Sequence, residues 1–475
     1  MRKMGAKALV TEQLRGDQPE LKEETEAISK YAPSCVDSAS WWRLSFFSSS
    51  FASRAEIPFQ PFDSLLAYAV ILKFKAPDDT NKCILWESVV RVPCLLNNYI
   101  HCAGFFQTLV AGHRFEIYGS FFCQQNGYST CCVHAALRML LSNYAWPIPQ
   151  RISYEDINKR LGYDHATKPV PAGGLKDEDI YRALVSFAGI SADGIDVSGE
   201  DLLTDYIYSY VESGIPVLFL FSVPNSPGHI VPLIGHTLNT DIWVSWPYFA
   251  NYAAVKNTGW VDHCIVNDDN LGMYLCLPQE FLKPENCYAI AIGPEKVALR
   301  PRFADLTAKL LLENTLMKIP PDADLSYWLK EVVAATRAQG ASVVLRTFLI
   351  SKSSYLTHLA GMRDNDGEGL VTVHLEAMSS RLPESFWISE LTLPDLYTAN
   401  RHKVGEVLIS KDKSIGEDTL AKDTWEALIG ARFPGFMLFK NQDGTGFDVF
   451  SSPPLPLRHV PIYENLDCPV RPQAW

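Results

Sequence analysis

The segment Gln124-Gln125-Asn126-Gly127-Tyr128-Ser129-Thr130-Cys131-Cys132-Val133-His134 holds the groups from which a thiol nucleophile is built. A cysteine that opens a helix gains from oriented N–H groups and the macrodipole, both of which favour thiolate over thiol. Cys131 stands at such an opening. Six residues upstream, the Gln125 amide joins the cysteine backbone N–H as a donor for an oxyanion. A base must then take the thiol proton, and a carboxylate or amide must fix the tautomer of that base. His229, behind Pro227-Gly228 at the mouth of an apolar strand, is the leading base. His134, one turn after Cys131, and His236, at the far end of the same strand, compete with it. Asn267, Asp268 and Asp269 end another strand in acceptors. Alternation points neighbours to opposite faces, so pattern does not separate the three, and Asp268 is the orienter chosen here.

Each feature also has a bland reading: paired cysteines serve as small core residues, and Asn-Asp-Asp-Asn closes a strand as a polar turn. A zinc site built from Cys123, Cys131, Cys132 and His134 is disfavoured, because adjacent cysteines lack the usual two-to-four-residue ligand spacing. The chain has no P-loop, HExxH, CxxC, GxSxG or GxGxxG. Asp364-Asn365-Asp366-Gly367-Glu368-Gly369 imitates a calcium loop but has Leu375 where a bidentate Glu belongs, so a hairpin turn is expected. Thiol acyl transfer needs no cofactor, and none is expected.

The elements that must position these groups read as follows. Val133, Ala136, Leu137, Leu140 and Leu141 lay one apolar stripe along a helix starting near Cys131, with Ser129 and Thr130 as N-cap candidates and Gly127 permitting the turn that leads in. Two helices follow in 174–189 and 198–214, then strands at 216–223, 229–237, 241–246 and 263–269. Pro232 cannot donate to a ladder, so its strand is expected to be an edge, bulged or exposed on one side there. Residues 1–40 are polar and expected to fray, and 41–120 read as a β-rich region. Residues 121–295 form the chemical core, and 296–475 form an α+β unit. That last unit reads as a helix at 326–340 and strands in SVVLRTFLI, GLVTVHLEAM, KVGEVLIS and GFMLF.

Taken in order, Gln125, Cys131 with its helix, a helical insert, PVLFLF, GHIVPLIGH and a strand ending in NDD resemble a papain-fold cysteine peptidase. In outline the match is to the bacteriocin-processing, double-glycine type, over roughly residues 120–295. The resemblance implies an α+β fold in which a nucleophile helix packs on an antiparallel sheet. It assigns Gln125 to the oxyanion hole, Cys131 as nucleophile, His229 as base and Asp268 as orienter. Cys132 replaces the glycine that often follows the nucleophile. An insertion between the His and Asp strands adds Trp243, Trp246, Tyr248 and Phe249, which either line a cleft or join the core.

Composition bounds the partners. The net charge is −12 with no Lys/Arg run, which argues against nucleic acid. The longest clean apolar run, Leu65 to Leu72, falls far short of the ~20 residues that cross a bilayer. The N-terminus lacks an apolar signal region, and the eleven cysteines have no framework spacing, so a cytoplasmic chain with reduced thiols is expected. The expected function is a thiol-dependent hydrolase cleaving a peptide, isopeptide or related amide bond in a peptide or protein substrate. Acyl transfer uses the same groups, and a catalytically inactive binding module is the reading from another class. The flanks, which carry no motif, are expected to serve regulation or a protein partner.

Overall fold

The computed structural model describes residues 1–92, 98–100, 103–143, 152–164, 175–187, 191–196, 202–221, 228–237, 247–249, 252–282, 287–293, 297–312, 343–362, 372–392, 402–413, 425–433, 436–441, 444, 446–451 and 457–458. It is an α+β structure built on three large, mainly antiparallel sheets. Among the described residues no helix is long and apolar enough to cross a membrane.

The first sheet comprises β1 (Ala8–Leu14), β2 (Ser40–Phe47), β3 (Leu65–Lys75) and β4 (Asn81–Arg91). After β5 (Asn98–Ile100), which belongs elsewhere, come β6 (Gly104–Val110) and β7 (His113–Phe122), giving the order β1-β2-β3-β4-β7-β6. The first forty residues do not fray. Strand β1 pairs with β2 over its whole length, and α1 (Pro19–Ser29) buries Leu21, Glu24, Ala27 and Ile28 at i, i+3, i+6, i+7 spacing. A polar composition concealed an amphipathic helix whose buried face is only four residues wide.

After the short α2 (Ser34–Ser38), helix α3 (Cys132–Asn143) lies between this sheet and the next. Its Val133, Ala136, Leu137, Leu140 and Leu141 share a core with Leu218, Ile230, Ile290 and Ile292, while Ala135 and Met139 pack among Trp86, Phe121 and Tyr154. On that second face the buried Arg138 donates to the Trp86 and Ile152 carbonyls, and its guanidinium sits 4.3 Å from the Trp86 ring centre. Helices α4 (Tyr154–Leu161) and α5 (Asp177–Ser186) follow.

The second sheet collects β8 (Ser191–Asp196), then, after α6 (Leu202–Glu212), β9 (Val217–Phe221) and β10 (His229–Thr237). Beyond β11 (Pro247–Phe249) and β12 (Tyr252–Lys256) it adds β13 (His263–Asp268), β14 (Gly272–Pro278) and β15 (Cys287–Gly293). The order is β14-β13-β10-β9-β15-β8, all antiparallel. Strand β5 also pairs with β10, so the N-terminal region lends a strand across the expected boundary near residue 120. Pro232 faces Leu218 in the β9 ladder, and the β10–β13 register shifts between Leu233 and Gly235, a bulge of the kind the proline led us to expect.

Gly235 shows why β5 can approach so closely: a Cβ there would lie 2.0 Å from the Tyr99 carbonyl oxygen. Gly235→Ala should therefore cost about 1–3 kcal/mol through overpacking, read as a lowered midpoint in chemical denaturation. An unchanged midpoint would show that this strand pair yields freely.

The third sheet begins with β11 and β12. After α7 (Pro301–Leu311) it continues through β16 (Val343–Ser351), which runs parallel to β12, then β17 (Ser385–Thr392) and, beyond the two-residue β18 (His402–Lys403), β19 (Gly405–Ile409). It ends with β20 (Leu428–Phe433), β21 (Phe436–Lys440) and β22 (Phe447–Ser451), and β18 pairs with β23 (Leu457–Arg458). Helices α8 (Lys352–Gly361) and α9 (Thr372–Arg381) pack on it, Tyr355, Leu359 and Met378 entering its core. GLVTVHLEAM was expected as a strand but forms most of α9, because Leu375 and Met378 at i, i+3 meet the same core. The expected strand at 241–246, the helix at 326–340 and the 364–369 turn lie outside the described residues.

A buried chain of charges crosses from the second sheet to the third. His236 Nε2 lies 2.7 Å from Glu212 Oε1, and Arg346 donates to Glu212 Oε2 at 2.7 Å and to Glu390 Oε2 at 3.0 Å. Lys403 joins Glu390 to Glu406, and Arg432 closes the chain on Glu406 at 2.7 Å. Burial pushes the Glu212 carboxyl up, but Arg346 and the hydrogen bond from His236 win and hold it down at about 2.

Candidate active site

The loop into α3 is organised by one side chain. Asn126 Oδ1 accepts from the backbone N–H groups of Tyr128, Ser129 and Thr130, and Gly127 at φ 72° makes the required left-handed turn. Asn126 Nδ2 donates to Ser129 Oγ at 2.7 Å and to the buried Glu24 of α1 at 2.9 Å. Ser129 and Thr130 are therefore engaged with Asn126 rather than capping α3. The N-cap is Cys131, whose carbonyl accepts from His134 N–H, while His134 Nδ1 accepts from Cys131 N–H at 3.3 Å. That places Cys132 at the first helical position, among the unsatisfied N–H groups of the helix end.

The two adjacent thiols have separate partners. Cys131 Sγ lies 3.2 Å from His134 Nδ1, and His134 Nε2 donates to Asn158 Oδ1 at 2.8 Å, which leaves Nδ1 as the acceptor. Asn158 is buried on α4, a helix fixed by a capping box between Ser153 and Asp156. Burial would raise the Cys131 thiol, but the neighbouring His134 brings it down to about 7. Cys132 is the thiol that acts on His229, helping to raise its pKa. The sequence led us to expect Cys131 at His229; Cys131 pairs with His134 instead, and Cys132 is the thiol that acts on His229.

His229 and Asp268 meet as expected. His229 Nε2 donates to Asp268 Oδ2 at 3.2 Å, and the other Asp268 oxygen accepts from Asn270 N–H at 2.8 Å and Leu271 N–H at 3.0 Å. With Nε2 committed to Asp268, Nδ1 is the ring nitrogen left for another partner. Burial alone would lower the His229 pKa. The hydrogen bond to Asp268, the Cys132 thiol and the charges of Asp268 and Asp269 carry it up to about 10. Desolvation pushes Asp268 up, but its hydrogen bonds prevail and its pKa falls below the usual carboxylate value. Phe221, opposite His229 in the β9 ladder, presents an edge to the imidazole at 5.4 Å.

Alternation separates Asn267 from Asp268, whereas Asp269, just past the strand end, joins Asp268 at His229. Asn267 turns away, donating to Ser120 Oγ at 3.2 Å and accepting from Tyr274 N–H at 3.0 Å. Asp269 Oδ1 is 3.7 Å from His229 Nε2, and its burial lifts its pKa to about 6. Gln125 sits beside the same turn, its Nε2 donating to Asn270 Oδ1 at 3.2 Å.

Other candidates disperse. His236 is buried between Glu212 and the Tyr99 ring, which stacks on it at 5.0 Å. Cys123 Sγ faces the Ala135 carbonyl at 3.6 Å, so the four-residue zinc set is not assembled. Trp243 and Trp246 lie outside the described residues, as do the surroundings of the Tyr248 and Phe249 side chains. Glu24, Asn126 and Asn158 were not anticipated; the Ser153-x-x-Asp156 capping signature marks α4 in the sequence but does not tell where Asn158 points. No protein-family model matches the chain, and no curated protein matches it.

Proposed function

We propose that the chain is a thiol-dependent hydrolase of the papain-like kind, cleaving a peptide, isopeptide or related amide through an acyl-enzyme. In this reading Cys132 is the nucleophile, His229 the base and Asp268 the orienter. The observation that carries it is the His229–Asp268 hydrogen bond beside a helix that opens on Cys132, whose thiol helps to raise the His229 pKa. His229 takes the thiol proton, and the imidazolium so formed is held by Asp268. The thiolate, supported by the helix end, attacks the carbonyl. The oxyanion is received by the Cys132 N–H and by Gln125, whose amide has a second hydrogen beyond the one given to Asn270. The imidazolium then returns its proton to the leaving amine, and water or an acceptor amine resolves the thioester.

The test is the pH profile of acylation by an activated ester. Asp268→Asn removes the charge that holds His229 at about 10, so the imidazolium is lost at lower pH. The alkaline limb of the profile should move down by at least about one unit. An unmoved limb would remove Asp268 from the relay.

A further inference from the structure

Asp269 is buried at 2% exposure, and neither of its carboxylate oxygens has a hydrogen-bond partner. A carboxylate left so, beside a polar cluster that satisfies its neighbours fully, is poised for a ligand that brings positive charge. The cluster has the spacing for one. His229 Nε2 lies 3.2 Å from Asp268 Oδ2 and 3.7 Å from Asp269 Oδ1, and one donor atom from each residue lies within 4.8 Å of the others. Two ligand bonds of about 2.0–2.2 Å meeting at a tetrahedral centre span roughly 3.3–3.6 Å.

We propose that His229, Asp268 and Asp269 form an inhibitory site for a borderline divalent cation, with Zn²⁺ as the fitting ion. One imidazole nitrogen and two carboxylate oxygens suit Zn²⁺ better than Mg²⁺, which prefers six oxygens and keeps its water. The inhibition rests on the catalytic reading above. An ion on Nε2 replaces the proton given to Asp268 and leaves the ring's proton on Nδ1. His229 then has no lone pair with which to take the Cys132 proton. The Cys132 thiol is outside this donor set.

The experiment titrates the full chain with Zn²⁺ by competition against a fluorescent chelator, beside Asp269→Asn, His229→Ala and a Cys131→Ser/Cys132→Ser double variant. Thermal unfolding of each confirms the fold. The wild type should bind one ion, Asp269→Asn and His229→Ala should each weaken it at least about tenfold, and the double variant should retain it. Loss of binding in the double variant with Asp269→Asn unaffected would place the ion on the thiols and overturn the site. So would unweakened binding in Asp269→Asn, or Mg²⁺ competing at equal concentration. The binding readout is independent of turnover, so a failed ester acylation in metal-free protein would count against the catalytic reading alone.

Discussion

Cys132→Ala abolishes the burst of p-nitrophenol that the wild type releases from p-nitrophenyl acetate, about one equivalent per chain before steady state, whereas Cys131→Ala retains it. The expectation follows from which imidazole each thiol meets. Cys132 is the thiol that acts on His229, and His229 is anchored on Asp268, so a proton taken from the thiol has somewhere to be held. Cys131 pairs with His134 as part of the helix cap, and Asn158 behind it is neutral. Losing the nucleophile itself costs the whole covalent step, on the order of 10³-fold or more. Stopped-flow absorbance reads the burst. A burst retained in Cys132→Ala but lost in Cys131→Ala would reverse the assignment, and one that survives both would mean that neither thiol is acylated.

The second large effect is on stability. Arg346→Met should destabilise the chain by about 3–5 kcal/mol, because it leaves Glu212 and Glu390 charged and buried with their shared cation gone. Glu212 sits on α6 against the second sheet, whereas Arg346 and Glu390 sit on β16 and β17, so the loss falls on the contact between the two sheets. The same pairing sets the acid response. Glu212 is depressed below its unfolded value, so its contribution is present above about pH 4.5 and is lost as pH falls towards about 2. Chemical denaturation checks the first statement, with thermal melts between pH 7 and 3 for the second. A variant within about 0.5 kcal/mol of wild type would show that water or rearrangement replaces the guanidinium.

Local patterns carried the parts of this molecule that are locally determined. The stripe from Val133 to Leu141 predicted the helix, and those five residues face one core. Strand alternation separates Asp268, which faces His229, from Asn267, which faces Ser120. The register of the nucleophile helix was not legible to one residue. Ser129 and Thr130 are good caps by type, but Asn126 takes them, and the cap is a cysteine whose N–H is satisfied by a histidine three residues on. Long-range pairings left no local trace: β12 joins the third sheet parallel to β16, β5 joins the second, and α1 reaches across to Asn126 through Glu24. In each case the partner is set by burial elsewhere in the chain, which no window of neighbouring residues contains.

The most direct measurement is peptide mapping of the folded wild type after brief reaction at neutral pH with a peptidyl electrophile that mimics an amide carbonyl, beside His229→Ala. The account predicts a single adduct on Cys132, forming about 10²–10⁴-fold more slowly without His229. An adduct on Cys131 that persists undiminished in His229→Ala, or equal labelling of the exposed Cys83 and the site thiols, would contradict it.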